Sequence, residues 1–343
     1  MRIATYNVEW FNALFDDEDR LLADSDWSAR YNVTRADQAE ALGIVFTALD
    51  ADAVLIVEAP DSNGRRSTVR ALENFATTFD LRTTRAVSGF SNDTQQELAL
   101  LYDPAALGAA HDPQGELTGK KGASGAPRFD GAFRWDIDVD RAPEIIRFSK
   151  PPLELAMTPA DGRPFRMIGV HLKSKAPHGA ETPQEIMRLS IENRRKQMAQ
   201  CIWLRHRIET HLEAGDPLIV LGDLNDGPGL DEYEKLFGRS GIEVVMGIDG
   251  GNGQRLHDPH ARAAILQRLG PQPSTARFFI QQEGRYLNAL LDYVMLSRDL
   301  CEAGARWRIW HPFDDPVCYR TPELREALLA ASDHFPVSVD LDI

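Results

Sequence analysis

Short apolar runs that each stop at a polar residue constrain this chain more than any other feature of its sequence. They are RIATYNV (2–8), AVLIVEA (53–59), ELALLYD (97–103), FRMIGVHL (165–172), PLIVLGDL (217–224), LLDYVML (290–296) and PVSVDLDI (336–343). Their length and β-branched content, with turn residues between them, read as strands. Two segments read as helices instead. Residues 35–49 repeat Ala39, Leu42, Val45, Phe46 and Leu49 at helical spacing behind Thr34, a candidate N-cap. Residues 183–213 form a long amphipathic pattern that begins after Thr182-Pro183. Strands interspersed with a few helices predict stacked sheets with helices outside, in one domain spanning 1–343. The stretch 104–135 reads as a mobile excursion and about 247–277 as irregular, because both are rich in turn formers.

Composition excludes some functions. With 52 acidic against 38 basic residues, the net charge of −14 opposes avid, non-specific binding to a polyanion. A phosphate substrate stays open, since a bound cation can reverse the field in one cleft. No apolar run approaches the roughly 20 residues that span a bilayer. The opening MRIATYNVEWF has none of the regions of a signal peptide. Cys201, Cys301 and Cys318 are an odd number without metal-type spacing, which points to reduced thiols and a cytoplasmic protein.

The polar ends of the strands carry the chemistry. Asn7, Glu58, His171, Asp223, Asn225 and Asp292 each close or follow an apolar run, and Asp333-His334 stand before the last one. Taken singly, such residues are ordinary turn formers. Glu58 is the exception, because a carboxylate behind five apolar residues needs a partner or a cation. Asp223 and Asn225, two apart, face one side of an extended chain. If the strand ends converge, Glu58, Asp223, Asp292 and Asp333 crowd four carboxylates round one cleft. Their mutual repulsion calls for a cation. Oxygen donors without cysteine suit Mg²⁺ or Mn²⁺, whose usual ligand partner is a phosphate.

In order, the pieces TYNVEWF, VLIVEAP, VHLKSK, VLGDLND, LLDYVMLS and SDHFPV resemble the endonuclease/exonuclease/phosphatase family, whose members include DNase I-like nucleases. The forms VEAP and HLKSK are most similar to bacterial, nuclease-like members. The resemblance implies a four-layer αββα sandwich, with two mixed, mainly antiparallel sheets face to face and helices outside. It also implies a site at one edge of the sheets. Glu58 is then the principal metal ligand, with Asn7 beside it and Asp333 completing the shell. Asp223 and Asn225 position or deprotonate the attacking water and hydrogen-bond the scissile phosphate, and His171 contacts the phosphate. His334 is the catalytic histidine, oriented by Asp292.

The implied activity is divalent-metal-dependent phosphodiester hydrolysis, first of all of DNA. Lys173 is a candidate phosphate contact and Lys175 an even choice between that and an exposed cation. Arg65, Arg66, Lys120, Lys121 and Arg134 are candidate basic groups for nucleic acid, while Arg194 and Arg195 read as surface charges paired with Glu192 and its neighbours. His257 and His260 fall outside the motifs. The family's arginine before a proline pair is Lys150 here, which keeps the charge and loses the bidentate fork. A phosphatase or phosphodiesterase for a small or lipid phosphoester is the alternative, and a non-catalytic binding member is a third reading. No obligate protein partner is evident.

Overall fold

The computed structural model describes residues 1–135, 143–177, 179–230, 234–266, 272–280 and 284–343. The strands in chain order begin with β1 (Arg2–Asn7), β2 (Ala53–Ala59), β3 (Arg85–Ser88), β4 (Glu97–Tyr102) and β5 (Leu107–His111). Next come β6 (Phe133–Trp135), β7 (Glu144–Ile146), β8 (Leu153–Pro159), β9 (Phe165–His171) and β10 (Leu218–Asp223). The last are β11 (Ala276–Ile280), β12 (Arg285–Ala289), β13 (Asp292–Leu296), β14 (Arg306–Ile309) and β15 (Val337–Asp340). All seven apolar runs are therefore strands.

One sheet has the order β14-β15-β1-β2-β4-β3 and the other β13-β10-β9-β8-β5. Each contains one parallel pair, β1 with β2 and β9 with β10, among antiparallel neighbours. Strand alternation decides which side chains meet. From β2, Leu55 and Val57 join Leu155, Met167, Leu221, Val294, Val337 and Val339 in the core between the sheets. Val54 and Ile56 point the other way, into the outer core. Gly169 lets the sheets approach closely, because a Cβ there would sit 2.4 Å from the Leu55 side chain.

The outer layers are helical. They comprise α1 (Arg35–Leu49), α2 (Thr68–Thr78), α3 (Pro183–Ala214), α4 (Glu234–Phe237) and α5 (Gly241–Met246). After them follow α6 (Pro259–Leu266), α7 (Arg298–Glu302), α8 (Pro316–Arg320) and α9 (Pro322–Ala331). Leu42 and Phe46 of α1, Phe75 of α2 and Leu328 of α9 cover the first sheet. Trp203, Leu204 and Ile208 of α3, with Ile242 and Val245 of α5, cover the second. Thr34 and Thr182 both cap as expected, each closing a reciprocal capping box, with Asp37 and Glu185 respectively. The four-layer sandwich stands, and no helix among the described residues is long and apolar enough to cross a membrane.

Two stretches hold more order than their turn formers predict. Residues 104–135 contain β5, the edge strand of the second sheet, which pairs with β8 from Leu107↔Pro159 to His111↔Leu155. The stretch 247–277 contains α6 and the start of β11. In both, long-range pairing outweighs local turn propensity.

Gly222, immediately before Asp223, adopts φ +130, and a Cβ there would lie 2.1 Å from the Val170 carbonyl oxygen. Only glycine fits that close pass between β9 and β10. Gly222→Ala is expected to lower the urea midpoint markedly, since strain of this kind alone costs about 1–3 kcal/mol. An unchanged midpoint would refute that account.

Candidate active site

Sheet register, more than any local signal, assembles the site. Asn7 ends β1 opposite Val57 of β2, so it lies beside Glu58. In the other sheet Asp223 pairs with His171 on one side and with Asp292 on the other. These ends meet at one edge of the sandwich, where Asn7, Glu58, His171 and Asp223 line a cleft of about 660 Å³ with Lys150, Asn225, Asp333 and His334.

Glu58 is aimed by a backbone irregularity. The register with β4 slips between Val57 and Ala59, and Glu58 takes φ 63, in the left-handed region. A bulge of this kind re-aims a side chain at the cost of local strain. Burial pushes its carboxyl upward, against the pull of Lys150 and His334.

Asp223 is almost wholly enclosed. It accepts hydrogen bonds from the Asn7 amide (3.1 Å), the Asn225 main chain (2.7 Å) and the Asn225 amide (3.1 Å). Burial first, and then the Asp292 charge, push its carboxyl up to about 7. Asn225 reaches Asp223 by a different route from the alternation read in the sequence. It lies past the strand end at φ 51, and a tight turn folds it back onto the carboxylate.

His334 Nδ1 lies 2.7 Å from Asp292 Oδ2, and Thr275 donates to the same oxygen at 2.8 Å. Burial alone would lower the imidazole, but the Asp292 carboxylate outweighs it and holds His334 well above its usual range. The Asp292 carboxylate thus favours the protonated form of the ring. Ser332 fixes the approach to it, donating to the Asn7 carbonyl (2.7 Å) and accepting from the Glu9 and His334 main chains (3.2 Å each). Val337, Val339 and Leu341 bury themselves between the sheets just beyond.

His171 is held neutral, lowered first by burial and then by Lys150 and His334. The Lys150 ammonium lies 3.2 Å from both of its ring nitrogens. Lys150 thus joins the cleft, whereas Lys173 turns its ammonium to the Ser174 carbonyl at 3.2 Å and does not line it. Lys175 is ion-paired with Asp226.

The donor set fits a hard divalent cation. The side-chain oxygens Asn7 Oδ1 and Asp292 Oδ1 are buried with no protein hydrogen-bond partner among the described residues, an arrangement that suits a bound water or ion. Asp223, Asp292 and His334 each bring one donor atom within 4.8 Å of the others. That set differs from Glu58, Asn7 and Asp333. The compactness of the first set reflects the Asp292–His334 hydrogen bond, which already engages the imidazole. The all-oxygen pair of Glu58 and the Asn7 side-chain Oδ1 suits a hard divalent cation better.

Three contributors escaped the sequence reading. Glu9 lines the cleft, is ion-paired with Arg30, and is pushed up to about 7 by burial and by Asp333. Its signal was present, two residues beyond Asn7 on the same alternation. Thr275 and Ser332 carried none, because their partners are distant in sequence.

The surface assignment of Arg194 is corrected. It is buried and faces Asp226 at 3.7 Å, because α3 packs that side against the sheet. Arg195 pairs with Glu144 (2.7 Å) and Glu192 with Lys196 (2.8 Å). His257 and His260 do not line the cleft, and His260 sits 3.8 Å from Asp258 near the start of α6.

A model of the Endonuclease/Exonuclease/phosphatase family matches residues 4–334. The chain belongs to this family.

Solved structures agree with that membership at the level of fold. This Endonuclease/Exonuclease/phosphatase protein is similar to TDP2 from C. elegans, at 11% identity and a TM-score of 0.51 over 98% of this chain and 74% of that one. It also aligns with an AP endonuclease from Archaeoglobus fulgidus, at 14% identity and a TM-score of 0.48 over 100% of both chains. A functionally unknown conserved protein from Enterococcus faecalis V583 aligns at 18% identity and 0.47 over 99% of each. No curated protein matches the sequence. The fold is thus that of the Endonuclease/Exonuclease/phosphatase family.

Proposed function

We propose that the protein hydrolyses phosphodiester bonds with a bound Mg²⁺ or Mn²⁺, acting as one catalytic domain on nucleic acid, DNA first. The observation that carries this reading is the meeting of Asn7, Glu58, His171, Asp223, Asp292 and His334 at one sheet edge. Glu58 and Asn7, with Asp333 at the rim, would hold the cation. When bound, it supplies positive charge to the phosphate oxygens.

The chain's own groups divide the remaining work. Asp223, poised near neutrality, takes the proton of the attacking water, since a base works best with its pKa near the working pH. His171 directs a hydrogen bond at the phosphate, while Asn225, whose amide donates to Asp223 and to the Leu172 carbonyl, orients the base. The His334 imidazolium stabilises the negative charge that develops there, with Asp292 fixing its ring.

A second reading, a small or lipid phosphoester, draws on two observations. Two cations expected to track a polyanion are already occupied, Arg65 by Asp17 and buried Arg66 by Asp61. One wall of the cleft is apolar, built by Leu230, Phe278, Ile280, Leu287 and Leu291.

Plasmid nicking, oligonucleotide cleavage and bis(p-nitrophenyl) phosphate hydrolysis, each with Mg²⁺, Mn²⁺ or EDTA, separate these readings. Metal-dependent cleavage of DNA that weakens steeply with salt supports the nuclease. Hydrolysis of the small ester alone, insensitive to salt, supports the second reading. Inactivity on all three in every metal would leave a non-catalytic member of the fold.

A further inference from the structure

One face of α3 changes character along its length. Asn193, Gln197, Gln200, Leu204 and Ile208 follow one another at spacings of three and four, so they form a single stripe. Leu204 and Ile208 are apolar where the helix covers the second sheet. Asn193, Gln197 and Gln200 are amides where it passes over the loops that follow β9 and β10. Gln197 and Gln200 are buried there. A buried amide costs free energy unless its hydrogen bonds are made.

These bonds go to main chain that has left the sheet. Pairing of β9 with β10 ends at His171↔Asp223, and the Leu172 N–H adds one last bond to the Asp223 carbonyl at 3.0 Å. Beyond that point no main-chain N–H among the described residues reaches the carbonyls of Lys173, Leu224 or Asn225. The Gln197 amide donates to all three, at 2.9, 3.3 and 2.8 Å. Gln200 accepts from the Lys173 N–H at 2.9 Å and donates to the Arg147 carbonyl at 3.3 Å. Asn193 donates to the Ala176 carbonyl at 2.9 Å. Asn225 stands at φ 51, a left-handed conformation that persists when its surroundings over-determine it. From there its main chain and its side-chain amide both donate to Asp223.

We propose that Gln197 is a positioning residue for the catalytic step. Its amide takes over where the ladder stops, tying the loop behind His171 to the turn at Asn225. Asp223 is thereby kept aimed at the attacking water. Gln197 does not line the cleft and acts only through that turn. This rests on the hydrolase reading above and deepens it. A displacement of about 1 Å at a reacting group can cost about a hundredfold in rate, so a turn held from outside the cleft matters to the chemistry.

The test compares the full chain with Q197M and L204A. Methionine keeps the length of the side chain and removes both donors. L204A opens a cavity on the same stripe and leaves the amide in place, so it serves as a matched loss of stability. With bis(p-nitrophenyl) phosphate or plasmid in Mg²⁺ or Mn²⁺, Q197M should lower kcat about 10–100-fold and hold KM within about twofold. L204A should hold both within about twofold. Amide exchange followed by NMR gives a readout that needs no turnover. The gap in exchange rate between the N–H groups of Leu172 and Asn225 and those of Val220 and Val294 should widen about tenfold or more in Q197M, and not in L204A. Loss of stability without that widening, or with kcat unchanged, makes Gln197 a packing residue and overturns the proposal. Should Q197M fail to fold, the wild type decides, because an Asn225 N–H that exchanges like an open loop refutes the clamp and a protected one supports it. If neither metal brings turnover in the wild type, the hydrolase reading fails by itself. The exchange gap alone then upholds or overturns the clamp.

Discussion

His334→Ala is expected to lower kcat/KM for any phosphodiester substrate by about 10²–10³-fold, the usual weight of one preorganised donor facing developing charge. Thermal stability should fall as well, because the variant leaves the buried Asp292 carboxylate without its ion-pair partner. The pH profile carries more information than the loss itself. Activity should rise as Asp223 gives up its proton, through about 7, and fall at higher pH as His334 loses its own. Asp292→Asn removes the charge that outweighs burial at His334. The alkaline limb should therefore move toward lower pH, while the acid limb stays within the range set by Asp223 or moves down, since Asp292 also raises that carboxyl. An alkaline limb that ignores Asp292→Asn would take the imidazolium out of the chemistry.

Glu58→Gln is the second large effect. The carboxylate is desolvated and, without a cation, raised above its ordinary range by that burial. The amide should weaken the apparent affinity for Mn²⁺ by about a hundredfold or more, beyond what loss of a second-layer partner costs. Stability should respond in the opposite sense. For a carboxyl raised in the folded state, the unfolded chain gives up its proton first, so stability in EDTA falls as pH rises through the ordinary carboxylate range and upward. Glu58→Gln should make that fall shallower, and Mn²⁺ should likewise reduce it in the wild-type protein, the remainder coming from Asp223 and Glu9. Unfolding midpoints across pH, with EDTA or Mn²⁺, read both effects without any enzyme assay. A wild-type midpoint that Mn²⁺ leaves untouched at every pH would argue against a cation on Glu58.

Both predictions use residues that were visible as strand-end letters. Asn7, Glu58, His171, Asp223 and Asp292 could be picked out because an apolar run ending in a polar group is unusual, and because the six motifs kept a family order. The runs also announced their strands, since a chain buried on both faces has to be apolar along its whole length. Capping at Thr34 and Thr182 was equally local, a matter of one hydroxyl and a carboxylate three residues on.

Other features had no local spelling. Lys150 reaches His171 from a turn 21 residues earlier, Thr275 steadies Asp292 from a stretch that reads as irregular, and Ser332 ties the last strand to Asn7. Arg66 and Arg194 look like solvent charges in the sequence and are buried in the fold. Gln197 is one polar residue among many until its three carbonyls are in place.

From sequence alone came the strands, the sandwich and the letters of the site, because hydrophobic period and motif order are properties of neighbours along the chain. Tertiary structure alone decided which cation meets which carboxylate, which amide oxygen is left without a donor, and where each proton is held. Those depend on burial and on distances between residues hundreds of positions apart, as Asn7 and Asp223 are. Desolvation and Coulomb energy act through space, and the chain order does not record them.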